Sequence, residues 1–95
     1  MGERQRMTAQ VRGRVQGVGF RWWIRSRADQ LNLTGWVVND ADERVVAVLA
    51  EGDPVDLDEL ERHLWQGPTG ARVEQVAAER GPASGEYQHF EIGRR

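Results

Sequence analysis

Between Gly13 and Arg21 the chain changes its period. Ala9, Val11, Gly13 and Val15 alternate with Thr8, Gln10, Arg12 and Arg14, and a period of two means a strand with one buried face. From Phe20 onward the apolar residues Phe20, Ile24, Ala28 and Leu31 recur at helical spacing, flanked by Trp23 and Arg27. Only Gln16-Gly17-Val18-Gly19 separates the two patterns, so the spacing predicts strand, glycine-bearing turn and helix start. Such a turn aims successive backbone N–H groups at one point. The first turn of the helix adds its own unpaired N–H groups and the positive end of its dipole. Arg21 brings a permanent cation whose five donors form a fork that fits phosphate. The stretch is therefore expected to be an oxyanion cradle suited to phosphate.

The remaining pattern sets the fold class. Asn32 and Gly35 suit the exit of the first helix. Gly35-Trp36-Val37-Val38-Asn39 reads as a second strand, Asp40 to Arg44 as a polar turn, and Val45 to Ala50 as a third strand, which together make a hairpin. Asp53 is a good N-cap and Pro54 falls at the first helical position. Leu57, Leu60 and Leu64 continue that helix to Gly67-Pro68, which ends it. Val73 to Ala78 reads as a fourth strand, Gly81 to Gly85 as a loop, and Tyr87 to Ile92 as a short edge strand. Residues 1–7 are expected to be frayed and residues 8–93 to form a single domain. The order strand, helix, strand, strand, helix, strand, with one strand added, is that of an α+β, ferredoxin-like split βαβ sandwich. It predicts a mainly antiparallel five-stranded sheet with two helices on one face.

Composition narrows the chemistry. With no cysteine, thiolate nucleophiles, zinc–thiolate sites and disulfides are excluded. All thirteen basic residues are arginine, which removes Schiff-base chemistry and a Walker-type lysine. The net charge of −2 and the lack of an aromatic-rich strand argue against a nucleic-acid partner. No apolar run approaches the roughly 20 residues of a membrane span, and the N-terminal residues lack the apolar segment of a secretory signal. The expectation is a cytoplasmic protein with no membrane partner, acting as a monomer.

The nonapeptide Gly-Arg-Val-Gln-Gly-Val-Gly-Phe-Arg, Gly13 to Arg21, resembles the signature of the acylphosphatase family, and Gly35 to Asn39 resembles its second signature. The likeness continues through Ala50-Glu51-Gly52, Gly67-Pro68, Ala71 to Glu74 and Phe90-Glu91-Ile92, so it spans roughly Thr8 to Ile92. The resemblance implies hydrolysis of an acyl phosphate to a carboxylate and inorganic phosphate, without metal or cofactor. Carried over by position, it implies a phosphate site made by the backbone of Gln16, Gly17, Val18, Gly19 and Phe20 together with Arg21. Asn39 would orient the attacking water. Two residues depart from the family pattern: Glu43 stands where an Asp-Gly turn is frequent, and Val38 where a basic residue is common.

The residue types suit that division of labour. Phosphoryl transfer needs mainly positioning and charge stabilisation. Neither signature holds a histidine, cysteine or carboxylate placed as an obvious base. A carboxylate leaving group, with a conjugate acid of pKa roughly 4, needs little acid assistance, and the substrate's phosphate can take the water's proton. The other reading of the same residues is a non-catalytic anion-binding regulatory module on this fold. His63 and His89 lie outside both signatures and are read as solvated or locally bonded. Trp22, Trp23, Trp36 and Trp65 are read mainly as packing, with an exposed one able to line the acyl side of a pocket. The acidic group Asp53, Asp56, Asp58, Glu59 and Glu61 is read as helix-dipole compensation on a solvated face rather than a metal site.

Overall fold

The computed structural model describes residues 3–93. In order the elements are β1 (Gln5–Arg14), α1 (Phe20–Gln30), β2 (Thr34–Asn39), β3 (Val45–Gly52), α2 (Pro54–Gln66), β4 (Arg72–Pro82) and β5 (Phe90–Ile92). The strands form one sheet in the order β4-β1-β3-β2-β5. Its first four strands pair antiparallel, and β5 joins the edge at β2 in parallel. The element order thus yields the α+β architecture it predicts, with the fifth strand as an addition to the split βαβ core.

Alternation along the strands assigns the faces. Met7, Ala9 and Val11 of β1, Val37 of β2, Val46, Val48 and Ala50 of β3, and Phe90 of β5 form one buried cluster with both helices. α1 contributes Phe20, Ile24 and Ala28, and α2 contributes Leu57, Leu60 and Leu64. One sheet face is therefore covered by both helices, while Thr8, Gln10 and Arg12 point out from the other. Among the described residues, no helix is long and apolar enough to cross a membrane.

Several boundaries differ from the sequence reading, each for a physical reason. Residues 5–7 are not frayed: β1 starts at Gln5, and Met7, wholly buried, extends the apolar face of Ala9 and Val11 while pairing with Ala50 and Arg80. The first two residues of that segment lie outside the described residues. β4 continues through Gly81-Pro82, read above as loop, because it is an edge strand, where a proline interrupts no inner ladder. β5 is confined to Phe90–Ile92 and omits Tyr87. Leu31 is only partly buried: as the C-cap of α1 it packs against the core from its rim. Trp22 and Trp65 are 63% and 50% exposed, so neither is a packing residue. Trp23 is one, lying edge-on to His63 and under the Arg27 guanidinium.

Three acidic residues of α2 are engaged with arginines: Asp58 and Glu61 pair with Arg80 at 2.8 and 3.3 Å, and Glu59 pairs with Arg62. Among the described residues, no group of three metal-ligating side chains converges.

Among the described residues, one charged residue is buried. Glu51, 1% exposed near the end of β3, accepts hydrogen bonds from Arg6 Nε (2.8 Å), Ser84 N–H (2.9 Å), Ser84 Oγ (3.0 Å) and Gly85 N–H (3.0 Å). It thereby fastens the connection between β4 and β5, which otherwise has no apolar alternation to hold it.

Candidate active site

The cradle is built by anchoring both ends of a short loop. Val15 and Phe20 are each 1% exposed, so the chain enters and leaves the core within six residues. Between them Gly17 (φ 75°) and Gly19 (φ 77°) both adopt the left-handed conformation that glycine accepts without strain. A β-carbon at either position would meet nothing within 4 Å. The glycines are required here by backbone conformation, and the space above them is open.

A left-handed residue followed by a right-handed one forms a nest whose N–H groups face a common centre; Gly19 followed by Phe20, the first residue of α1, has this form. The first helical bond runs from Trp23 N–H to the Gly19 carbonyl, 3.0 Å. Among the described residues, no backbone N–H from Gln16 to Trp22 donates to a protein acceptor. Nor does α1 satisfy its own N-terminus, having no side-chain cap and no acidic residue in its first turn. α2 differs in carrying Asp56 in its first turn, with Pro54 removing one donor. The positive end of α1 is thus left for an external anion. Arg21, half-buried in that first turn, makes no ion pair among the described residues.

Topology brings Asn39 to the same end of the sheet. β1 and β2 both run toward this end and flank β3, whose Val46 pairs with Val11 on one side and Asn39 on the other. Asn39 shares the sheet face of Val37, the face under the helices. Its Oδ1 is buried and has no hydrogen-bond partner among the described residues, an arrangement costly enough that such an atom is expected to hold a water or ligand. The neighbouring carboxylates are engaged locally: Asp40 Oδ1 accepts the Asp42 N–H (3.0 Å), and Asp42 Oδ1 accepts the Arg44 N–H (2.9 Å). The second bond, with Arg12 and Arg44 nearby, holds the Asp42 carboxyl below the usual carboxylate range.

Those two turns explain the departure at Glu43. Among the described non-glycine residues only Asn32 has a positive φ, so Glu43 escapes left-handed strain. The hairpin closes instead through the two aspartate side chains and a bond from Val45 N–H to Asp42 O, 2.9 Å. Val38, the other departure, is 7% exposed and packs beneath Gly93, where an added β-carbon would come within 2.7 Å of its Cγ1. The end of β5 is drawn in there by a bond from Gly93 N–H to the Val37 carbonyl, 3.0 Å.

The sequence reading assigns Gln16 only a backbone role, but its side chain joins the two halves of the site. Gln16 Nε2 donates to the carbonyls of Asp40 (3.1 Å), Asp42 (3.1 Å) and Val45 (2.9 Å). Cradle and Asn39 are therefore held in one frame although 24 residues separate Gln16 from Asp40. No periodic signal reveals such a contact, because its partners are backbone oxygens. Gln16→Glu would set a carboxylate against those carbonyls. It is expected to lower kcat about tenfold through misplacement of the hairpin, with inhibition by inorganic phosphate changed less than about twofold; steady-state kinetics with phosphate as inhibitor check both.

Arg21 opens onto a cavity of ≈ 620 Å³ lined by Arg21, Trp22, Arg25, Glu91, Ile92 and Gly93. Asn39 is not part of this lining. The structure thus ties Gln16 directly to the chain beside Asn39, while Arg21 lines a cavity in which Asn39 takes no part.

The acylphosphatase family model matches residues 7–92. An acylphosphatase of Mycobacterium sp. (strain KMS) is 53% identical over 74 residues, covering 78% of each chain. That of Thermobifida fusca is 47% identical over 89 residues, covering 94% of this chain and 97% of its own. The crystal structure of acylphosphatase from Bacillus subtilis superposes with a TM-score of 0.89 at 31% identity, covering 94% of this chain and 98% of that one.

Proposed function

This chain belongs to the acylphosphatase family and is a hydrolase of acyl phosphates, and on that premise we propose that the loop from Gln16 to Phe20 and Arg21 hold the phosphate while Asn39 orients the attacking water. Hydrolysis rather than non-catalytic anion binding follows from the family. The division of roles rests chiefly on one observation: among the described residues, the N–H groups from Gln16 to Trp22 have no acceptor and lie at an uncapped helix N-terminus beside an arginine with no ion pair.

In this mechanism the substrate phosphate lies on the cradle, its oxygens accepting backbone N–H groups and the Arg21 fork. A water bound to the amide of Asn39 attacks phosphorus. The P–O bond to the acyl group breaks, its electron pair leaves on the carboxylate, and the water's proton passes to a phosphate oxygen. Asn39 offers both an acceptor and a donor, so it positions the water without removing its proton. The cradle accelerates the step to the extent that its hydrogen bonds strengthen as charge shifts among the phosphate oxygens. The reacting species is a small-molecule acyl phosphate, and neither cofactor nor metal enters the scheme. The domain is taken to span residues 8–93, extended at its start by the strand residues 5–7, and to act as a cytoplasmic monomer. Sedimentation equilibrium checks the last point.

Phosphate release from acetyl phosphate by the wild type and Asn39→Ala tests the scheme. The variant is expected to lose about 100-fold in kcat, with inhibition by inorganic phosphate changed less than about threefold. Retention of more than half the wild-type kcat would remove Asn39 from the mechanism. The pH–rate profile is expected to follow ionisation of the substrate phosphate. Control by an enzyme side chain whose substitution abolishes turnover would contradict substrate assistance.

A further inference from the structure

The cavity beside Arg21 extends the site along α1, and its charge is one-sided. Arg21 and Arg25 lie four residues apart, on one face of the helix, so Arg25 sits about 6 Å further from the cradle along the axis. The Arg25 guanidinium lies 5.7 Å from the ring centre of the exposed Trp22. Its only ion pair among the described residues is a long, exposed one to Asp29, 3.9 Å, which leaves most of its donors free. The opposite wall is Ile92 and Gly93, which bring no charge. Glu91 is the one acidic residue of the lining. It alternates in β5 with Phe90, which belongs to the core, and pairs in register with Trp36, so its side chain is directed to the other face of the sheet.

Resting on the reading that phosphate occupies the cradle, we propose that Arg25 is a specificity-determining residue selecting acyl phosphates whose acyl group carries a second negative charge. With the phosphate at the N-terminus of α1, the acyl group runs along the helix under Trp22. A spacer of roughly two or three carbons places a carboxylate or second phosphate beside Arg25, matching the one-turn rise between the two arginines. The apolar faces of Trp22 and Ile92 flank the spacer. A neutral acyl group of the same length finds the same walls but leaves the second arginine unused.

Two non-hydrolysable ligands of equal length isolate this effect: 5-phosphonopentanoate and pentylphosphonate, titrated by calorimetry into the full chain, with Arg25→Gln and Arg25→Lys beside the wild type. The wild type is expected to bind the carboxylate ligand about tenfold more tightly at low salt, with the ratio shrinking as salt rises. The ratio falls to about one or two in Arg25→Gln and is largely restored in Arg25→Lys, which keeps the charge. The kcat/KM ratio of succinyl phosphate to butyryl phosphate moves in parallel. Equal wild-type affinity for the two phosphonates, or a ratio unchanged in Arg25→Gln, overturns the proposal while leaving the cradle standing. Failure of both phosphonates to bind removes the cradle, and this inference with it. Tighter binding of pentylphosphonate identifies the exposed tryptophan as the selector of apolar acyl groups and likewise overturns the role of Arg25.

Discussion

Replacing Arg21 with alanine is expected to lower kcat/KM for acetyl phosphate by about a thousandfold, with the fold unchanged. A forked arginine makes two charge-assisted hydrogen bonds to a phosphate, each contributing about 1.5–3 kcal/mol. A loss of roughly 4 kcal/mol in the transition state corresponds to about three decades in rate. The folded protein loses little, because Arg21 makes no ion pair among the described residues and alanine is the better helix former. The unfolding free energy should therefore stay within about 0.5 kcal/mol of wild type. Inhibition by inorganic phosphate should weaken alongside, since the same fork holds the product. Arg21→Lys keeps the charge but not the bidentate geometry and should fall between. Phosphate release, product inhibition and circular dichroism on the three proteins measure these effects, and an intact Arg21→Ala protein with substantial turnover would free Arg21 from the role given to it.

Glu51→Ala is expected to act on stability instead. Burial pushes the Glu51 carboxyl up, but the Ser84 N–H, Arg6, the Gly85 N–H and the Ser84 hydroxyl outweigh it and bring it down to about 2 from 4.5. That difference contributes about 3 kcal/mol to folding by linkage. A depressed carboxyl stabilises the fold when ionised, so the contribution is complete above about pH 4.5 and is lost as pH falls toward 2. Against a total of about 5–15 kcal/mol for a small domain, this is a large share. Removing the side chain also strands the Arg6, Ser84 and Gly85 donors. Urea unfolding at pH 7 should show a loss of about 3 kcal/mol or more, and wild type and variant should converge as pH approaches 2. A pH-independent gap between them would disprove the assignment.

How far the sequence was legible depended on where each signal lies. Helices and inner strands write their burial into neighbouring residues: Leu57, Leu60 and Leu64 state the core face of α2, and Met7, Ala9 and Val11 that of β1. The edges do not. β4 alternates weakly because its inner residues Val73, Val76 and Ala78 are only partly buried and a register shift opposite Arg12 and Gly13 breaks their period, and its last residue, Pro82, reads as a breaker although an edge tolerates it. In the site, Gly17 and Gly19 announced the nest, and Asn39 was reached through resemblance to a second signature rather than through any pattern of its own. The amide of Gln16 and the carboxylate of Glu51 remained silent because their partners are 24 to 45 residues away and are mostly backbone groups. Trp22 reads mainly as packing for a related cause: it lies two residues from the core Phe20, yet two steps along a helix turn a side chain by about 200°.

The Gln16 bonds bear on how such a site tolerates change. A hairpin gripped by its carbonyl oxygens is gripped without regard to its side chains, since every residue type presents the same oxygen. Asp40 and Asp42 shape the loop with their side chains, but exchanges at Ala41 and Glu43 leave the grip of Gln16 and the spacing between cradle and asparagine intact so long as the loop keeps its length and path. Glu43, exposed and without a positive φ, is one such position. A change of loop length by one residue would be felt more sharply than any exchange of side chains within it.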